Sequence, residues 1–158
     1  MNRGQLEEVM GFLFKRSPVN FLGVFSFDKI PEQSRISGFS PCCYIVNTDT
    51  SAGKGKHWVA FFHLSTTSIE FFDSFGRTPA SLGFHLPYIQ RLVHSSIQVQ
   101  GDYSRCCGAH CIYYLYHRSL GYTLAAIVIR LKSTTLSQSD IRVAKFLSKV
   151  YSMMKVIK

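Results

Sequence analysis

Apolar residues recur every three or four positions in the opening stretch, MNRGQLEEVMGFLFKR. Leu6, Val9, Met10 and Leu13 fall on one face, with Glu7, Glu8 and Lys15 elsewhere, which predicts an amphipathic helix. VNFLGVFSF alternates loosely and reads as a short strand, and residues 29–41, rich in Pro, Ser and Gly, read as loop. CCYIVNT reads as a buried strand. TDTSAGKGK reads as a mobile, partly basic loop, because two glycines and small polar residues offer nothing to pack. HWVAFFHL and SIEFFDSFG follow as two strands joined at Ser-Thr-Thr.

Farther along, LPYIQRLVHSS has helical spacing at Ile89, Leu92 and Val93, and SIQVQ alternates as a short strand. Ser104 is placed to cap a helix that begins near Cys106, runs through IYYLYHR and stops at Gly121. LAAIVIRL fits a helix or a buried strand. Ser137 and Asp140 have capping-box spacing and open a last helix. Its Ile141, Ala144, Leu147, Val150, Tyr151 and Met154 form an apolar stripe, read as core packing. A helix, several strands and then helices, without repeats or linkers, predict a single α+β domain over residues 1–158.

Composition agrees with a packed domain. A chain of 158 residues that is 46% hydrophobic needs no disulfide or metal staple. Its five cysteines are an odd count, and Cys42-Cys43 and Cys106-Cys107 are adjacent pairs, so reduced thiols in a reducing intracellular compartment are expected. The N-terminus lacks a signal-peptide pattern, and no window approaches the ~20 apolar residues of a membrane span, so no membrane association is expected. The net charge of +9 draws on Arg142, Lys145, Lys149, Lys155 and Lys158 near the C-terminus. A nucleic-acid partner and a merely solvated basic face both fit that excess.

One stretch, QGDYSRCCGAHC, holds three of the cysteines. Thiol-dependent peptide hydrolysis needs a thiolate, an imidazole paired with it, a group that orients the imidazole, and donors aimed at the oxyanion. Cys107 lies at or just before the first turn of a predicted helix, where unpaired N–H groups and the dipole favour a negative sulfur. Gly108 beside it leaves the backbone uncrowded for an approaching substrate. His57 starts a strand at a sheet end. Asp73, bounded by Phe71, Phe72 and Phe75, requires a partner if buried.

A hairpin turning near Thr66 returns Asp73 to the sheet end of His57, and register decides whether the two share a face. A four-residue loop over 65–68 separates them, whereas a three- or five-residue loop, or one bulge, brings them together. Gln100, seven positions before Cys107, is placed to donate to an oxyanion alongside the Cys107 N–H. The bland alternatives are strand-end polar residues that satisfy their neighbours and cysteines that only pack. Another class of reading makes Cys106, Cys107, His110 and Cys111 zinc ligands of a metal-stapled binding module, although no second spaced C-x-x-C pair exists. A catalytically dead nucleic-acid-binding module is the third.

The ordered string HW, FFDSFG and QGDYSRCCGAHC resembles the adenovirus-type cysteine proteases, the adenain family, which carry His-Trp, an acid in an FE-x-FG-like segment, and Q-G-x(5)-C-G. NFLGVFSFDKIP and CCYIVNTDTSAGKGKHWVAFF resemble that family's FLG segment and IVNT stretch, so the likeness spans residues 20–116. By this resemblance His57 is the general base, Asp73 the imidazole orienter, Gln100 the oxyanion donor and Cys107 the nucleophile, with no metal or cofactor required. The implied fold is a papain-like core of permuted order, a mixed central sheet packed between helices, with the nucleophile at a helix N-terminus. It is distantly similar to ubiquitin-like-protein proteases of the same clan.

The resemblance implies viral precursor polypeptides as substrates, cut near small residues, often glycine, during virion maturation. Removal of ubiquitin-like modifiers is the alternative activity. A monomer is expected; the resemblance implies the host-cell nucleus and the virion as its setting, and DNA and a short viral peptide as candidate activators. Two departures stand out. Asp73 occupies a position where the family usually has Glu. The family's activating peptide is tethered by a disulfide to a cysteine between the acid and the glutamine, and this chain has no cysteine between Cys43 and Cys106.

Overall fold

The computed structural model describes residues 1–132 and 135–157. Among these, the elements in chain order are α1 (Arg3–Phe14), β1 (Asn20–Ser26), α2 (Gln33–Phe39), β2 (Cys42–Asn47), β3 (Trp58–His63), β4 (Ser68–Phe72) and β5 (Arg91–His94), followed by α3 (Cys107–Ser119), α4 (Leu124–Leu131) and α5 (Leu136–Ile157). The strands form one sheet in the order β1-β2-β3-β4-β5. The central strands β2, β3 and β4 are antiparallel, while β1 and β5 join the two edges in parallel, so the sheet is mixed as expected.

Both faces of the sheet are covered, which is why β2 reads as an unbroken apolar run. Cys43, Ile45, Ala60, Phe62 and Phe72 face α1, α3, α4 and α5. The alternate positions Tyr44, Val46, Val59, Phe61 and Phe71 face Ile36 of α2 and Phe84. Each face thus buries a separate cluster, and the sheet lies between helices. One ionic contact crosses the first face. Glu70 of β4, 6% exposed, accepts two bonds from Arg118 Nε at 3.0 Å and one from its terminal nitrogen at 2.9 Å. The Tyr114 hydroxyl donates to the same carboxylate at 3.1 Å, so the end of α3 is fastened to the sheet.

Several expectations are corrected. Residues 29–41 are not all loop: α2 forms within them and buries Ile36, a single apolar anchor too sparse to show a period. LPYIQRLVHSS does not form a helix. Its Leu92 and Val93 lie in the edge strand β5, where backbone pairing with Ile69 and Glu70 outweighs the helical spacing, and both side chains stay partly exposed. SIQVQ forms no strand; Val99 and Gln100 instead donate their N–H groups to the Ser74 carbonyl at 2.8 and 3.1 Å. LAAIVIRL resolves to a helix, capped by Thr123 Oγ1 accepting from Ala126 N–H.

At the C-terminus α5 begins at Leu136, so Ser137 lies inside the helix and does not form the expected capping box with Asp140. The buried face keeps Leu147, Val150, Tyr151 and Met154 of the expected stripe against the core but is rotated at its start. Ser139, Val143, Val150 and Met154 are buried, whereas Ile141 and Ala144 are exposed. The rotation follows from Phe146, whose ring sits 5.3 Å from Tyr113 and 5.4 Å from Tyr116 of α3. Arg142, Lys145, Lys149 and Lys155 remain exposed along α5, and Lys158 lies outside the described residues. Among the described residues no helix is long and apolar enough to cross a membrane.

Candidate active site

The hairpin register settles the question the sequence leaves open. β3 and β4 pair Ala60 with Phe72 and His63 with Ile69, and Leu64 N–H donates to the Ser68 carbonyl at 3.0 Å. The loop is therefore the three residues 65–67, a length that places positions 57 and 73 in the same register set. His57 lies one residue before β3 and Asp73 one residue after β4, at the same end of the sheet.

Asp73 is 1% exposed and has four donors. His57 Nε2 at 2.6 Å and Phe75 N–H at 3.1 Å reach Oδ1; Arg77 N–H at 3.2 Å and Arg77 Nε at 2.7 Å reach Oδ2. Burial alone raises the Asp73 pKa, but His57 and Arg77 more than offset it and hold the carboxyl below its ordinary value. The turn that permits these contacts depends on Gly76. Its φ of 72° is left-handed, and a Cβ there would stand 2.7 Å from the Ser96 carbonyl oxygen.

His57 packs against the Phe75 ring, 5.1 Å between centroids. Burial lowers its pKa, but interaction with the Asp73 carboxylate and with Cys107 reverses the sign and leaves it raised. Since Nε2 is held by Asp73, Nδ1 is the ring nitrogen left for the thiol. Cys107 is the first residue of α3, as expected of the nucleophile candidate. Burial pushes its pKa up, and the His57 hydrogen bond, the Trp58 N–H and the Gly108 N–H bring it below the ordinary cysteine value. The opposite shifts of thiol and imidazole favour a thiolate–imidazolium pair.

Gln100 is fully buried yet lines the cleft with Cys107 and His57. Ser74 Oγ donates to Gln100 Oε1 at 2.6 Å, and Gln100 Nε2 donates to the Ser104 carbonyl at 2.8 Å. The amide is thereby oriented, with one Nε2 hydrogen engaged. The structure therefore brings together all four residues singled out in the sequence. The contribution of Ser104 differs from expectation: the N-cap of α3 is Cys106, without a side-chain cap, and the carbonyl of Ser104 is what it supplies to the site. Gly108 also differs. A Cβ there would meet Leu6 at 3.2 Å, Met1 at 3.3 Å and Trp58 at 3.4 Å, so the position is small to admit α1 and the indole rather than substrate.

Residues missed by sequence reasoning support these four. Ser74 orients Gln100 from 26 positions away, and Arg77 braces Asp73. Asp140 of α5 joins the loop after Gln100 to α3, accepting from Gly101 N–H at 3.1 Å and lying 2.9 Å from His110 Nε2. The proposed zinc set does not converge: Cys107 pairs with His57, His110 with Asp140, and Cys111 is fully buried with its thiol pKa driven up by burial. Among the described residues no group of three or more His, Cys, Asp or Glu side chains is arranged to hold a metal ion.

With this geometry established, comparison with known proteins is informative. The chain is 31% identical over 115 residues to the protease of Porcine adenovirus A serotype 3, an alignment covering 60% of this chain and 54% of that protein. In sequence, this chain resembles an adenovirus protease. Its fold is similar to that of the crystal structure of the ASFV pS273R protease, with a TM-score of 0.57 at 17% identity, covering 89% of this chain and 64% of that one. No family model matches. The chain spans about half the length of the adenovirus protease it matches. The α+β class, the mixed sheet between helices and Cys107 at the head of a helix stand as expected.

Proposed function

We propose that the chain is a cysteine endopeptidase that cuts viral precursor polypeptides. The observation that supports this reading best is a cysteine at a helix N-terminus, its thiol pKa lowered, sharing one cleft with a histidine that a buried carboxylate holds at 2.6 Å. The group opens onto a cleft of about 760 Å³. Similarity to two viral proteases supports the same reading.

In the proposed reaction the Cys107 thiolate attacks the scissile carbonyl carbon, and the carbonyl electron pair moves to oxygen. Gln100 Nε2 and the Cys107 N–H, one of the first-turn donors that lack an intrahelical acceptor, bind that oxyanion. The imidazolium of His57 gives its proton to the leaving amine as the C–N bond breaks, leaving a thioester. Water then attacks the thioester, His57 takes its proton, and the thiolate departs. Asp73 keeps Nε2 protonated and stabilises the imidazolium throughout.

By the same resemblance the proposed cleavage sites contain small residues, glycine above all, and the setting is the host-cell nucleus and the virion. DNA is proposed as an activator, with the exposed cations of α5 as its contact surface; a short viral peptide, if it activates, binds without the disulfide tether. Incubation of purified protein with glycine-containing peptides, with and without DNA, tests the reading. Cys107→Ala is expected to abolish cleavage. Gln100→Ala is expected to slow turnover by ~10²–10³ while Cys107 stays reactive to iodoacetamide. Cleavage retained by Cys107→Ala overturns the assignment.

A further inference from the structure

The cleft that holds Cys107 is lined by five cations, Arg3, Lys54, Lys56, Arg77 and Arg105, and by no carboxylate side chain. Three of the five have acidic partners outside the cleft wall: Arg3 with Glu7, Lys56 with Asp49 and Arg77 with Asp73. Among the described residues Lys54 and Arg105 have no ion-pair partner. Both are exposed. One sits on the loop that leads into His57, the other on the loop that leads into Cys107.

The first of these loops, TDTSAGKGK, is cross-linked by hydrogen bonds. Asn47 Oδ1 accepts from Asp49 N–H at 2.9 Å and from Lys56 N–H at 3.0 Å, closing the base of the loop. Asp49 Oδ2 accepts from Gly55 N–H at 3.2 Å. Asp28 takes both the N–H and the hydroxyl of Ser51, at 2.7 and 2.6 Å. The two acidic residues nearest the loop are thus occupied in shaping it, and the lysines it carries are presented on a hydrogen-bonded backbone. A preset cation spends less side-chain and loop entropy on binding than one on a loop that must first order.

From this arrangement we infer that the cleft selects polypeptides with carboxylate side chains within a few residues of the scissile bond, read by Lys54 and Arg105. The inference rests on the endopeptidase reading and names the substrate class of that site. A polypeptide whose carbonyl reaches Cys107 must lie along the loops that carry both cations, so acidic flanks are attracted and basic flanks repelled. Exposed ion pairs are individually weak, so the discrimination is modest, falls with salt, and resides mainly in KM.

The test uses three fluorogenic peptides with one common glycine-containing core and Glu, Gln or Lys in the flanking positions. At low ionic strength kcat/KM is expected to favour Glu over Lys by about three- to tenfold, with the ratio shrinking as salt rises. Lys54→Glu combined with Arg105→Glu is expected to invert the order. Equal rates for all three peptides, or an order that survives the double charge reversal, overturn the inference and leave the endopeptidase reading standing. Competitive inhibition by an oligonucleotide duplex without any peptide preference assigns the cations to nucleic acid and also overturns it. Cleavage of none of the peptides, with Cys107 unreactive to iodoacetamide at neutral pH, overturns both.

Discussion

Asp73 Oδ1 lies 2.6 Å from His57 Nε2, and the same oxygen accepts the N–H of Phe75 at 3.1 Å. One carboxylate oxygen therefore fixes both the imidazole and the turn that carries the carboxylate. The acid sits at the mouth of its own turn, close enough that the short Asp side chain reaches the imidazole.

The His57 pKa is raised and the Cys107 pKa lowered, so the proposed catalytic pair is expected to give a pH profile with two limbs. The rate is expected to rise with pH as the thiol loses its proton, below the ordinary cysteine range. It is expected to fall again as the imidazolium loses its own, above the ordinary histidine range. Both apparent values belong to the pair. Asp73→Asn removes the charge that raises His57, so the alkaline limb is expected to move to lower pH and kcat to fall by about 10³–10⁴. Profiles of kcat/KM and of iodoacetamide reactivity check this; an unmoved alkaline limb would show that Asp73 does not govern the imidazole.

Much of this site was legible in the chain because its parts are local. The Cys107 helix start, the strand-end position of His57 and the aromatic frame of Asp73 each follow from a few neighbouring residues. What the sequence left undecided was relative placement. Loop length 65–67 fixes whether His57 and Asp73 meet, and a run of Ser and Thr does not reveal which residue ends the strand. Longer-range partners were invisible for the same reason. Nothing near Ser74 announces Gln100, and Leu92 and Val93 have helical spacing although β4 recruits their backbone into an edge strand. The face of α5 was misread by a fraction of a turn, because Phe146 and the aromatics of α3 set its rotation rather than its own hydrophobic count.

A second histidine shapes stability. His63 is fully buried beneath Tyr44, whose hydroxyl lies 3.0 Å from Nε2, and burial lowers its pKa from 6.5 to about 4. The unfolded chain then binds a proton that the folded chain refuses, so stability is full above pH 6.5 and is lost as pH falls toward 4. The gap corresponds to about 3 kcal/mol at the acid end. His63→Gln retains a polar partner for Tyr44 without a titrating ring. Its stability relative to the parent chain is expected to improve steadily from pH 7 to pH 4, measured by urea denaturation at each pH. A constant difference across that range would remove His63 as the cause.

Asp140 gives the remaining prediction, because it ties three elements to one carboxylate. Through Gly101 N–H it holds the loop that begins at Gln100, and through His110 it holds α3 one turn beyond Cys107. His110 is fully buried, so the contact cannot be replaced by water without opening the packing between α3 and α5. Asp140→Ala frees the loop and is expected to lower kcat by about 10- to 100-fold, the cost of displacing an oxyanion donor by a fraction of an ångström to an ångström. Iodoacetamide reactivity of Cys107 should stay the same, since alkylation forms no oxyanion. Asp140→Asn keeps an acceptor for Gly101 and is expected to recover much of the loss. If thiol reactivity and kcat fall together, Asp140 supports the whole helix rather than positioning Gln100.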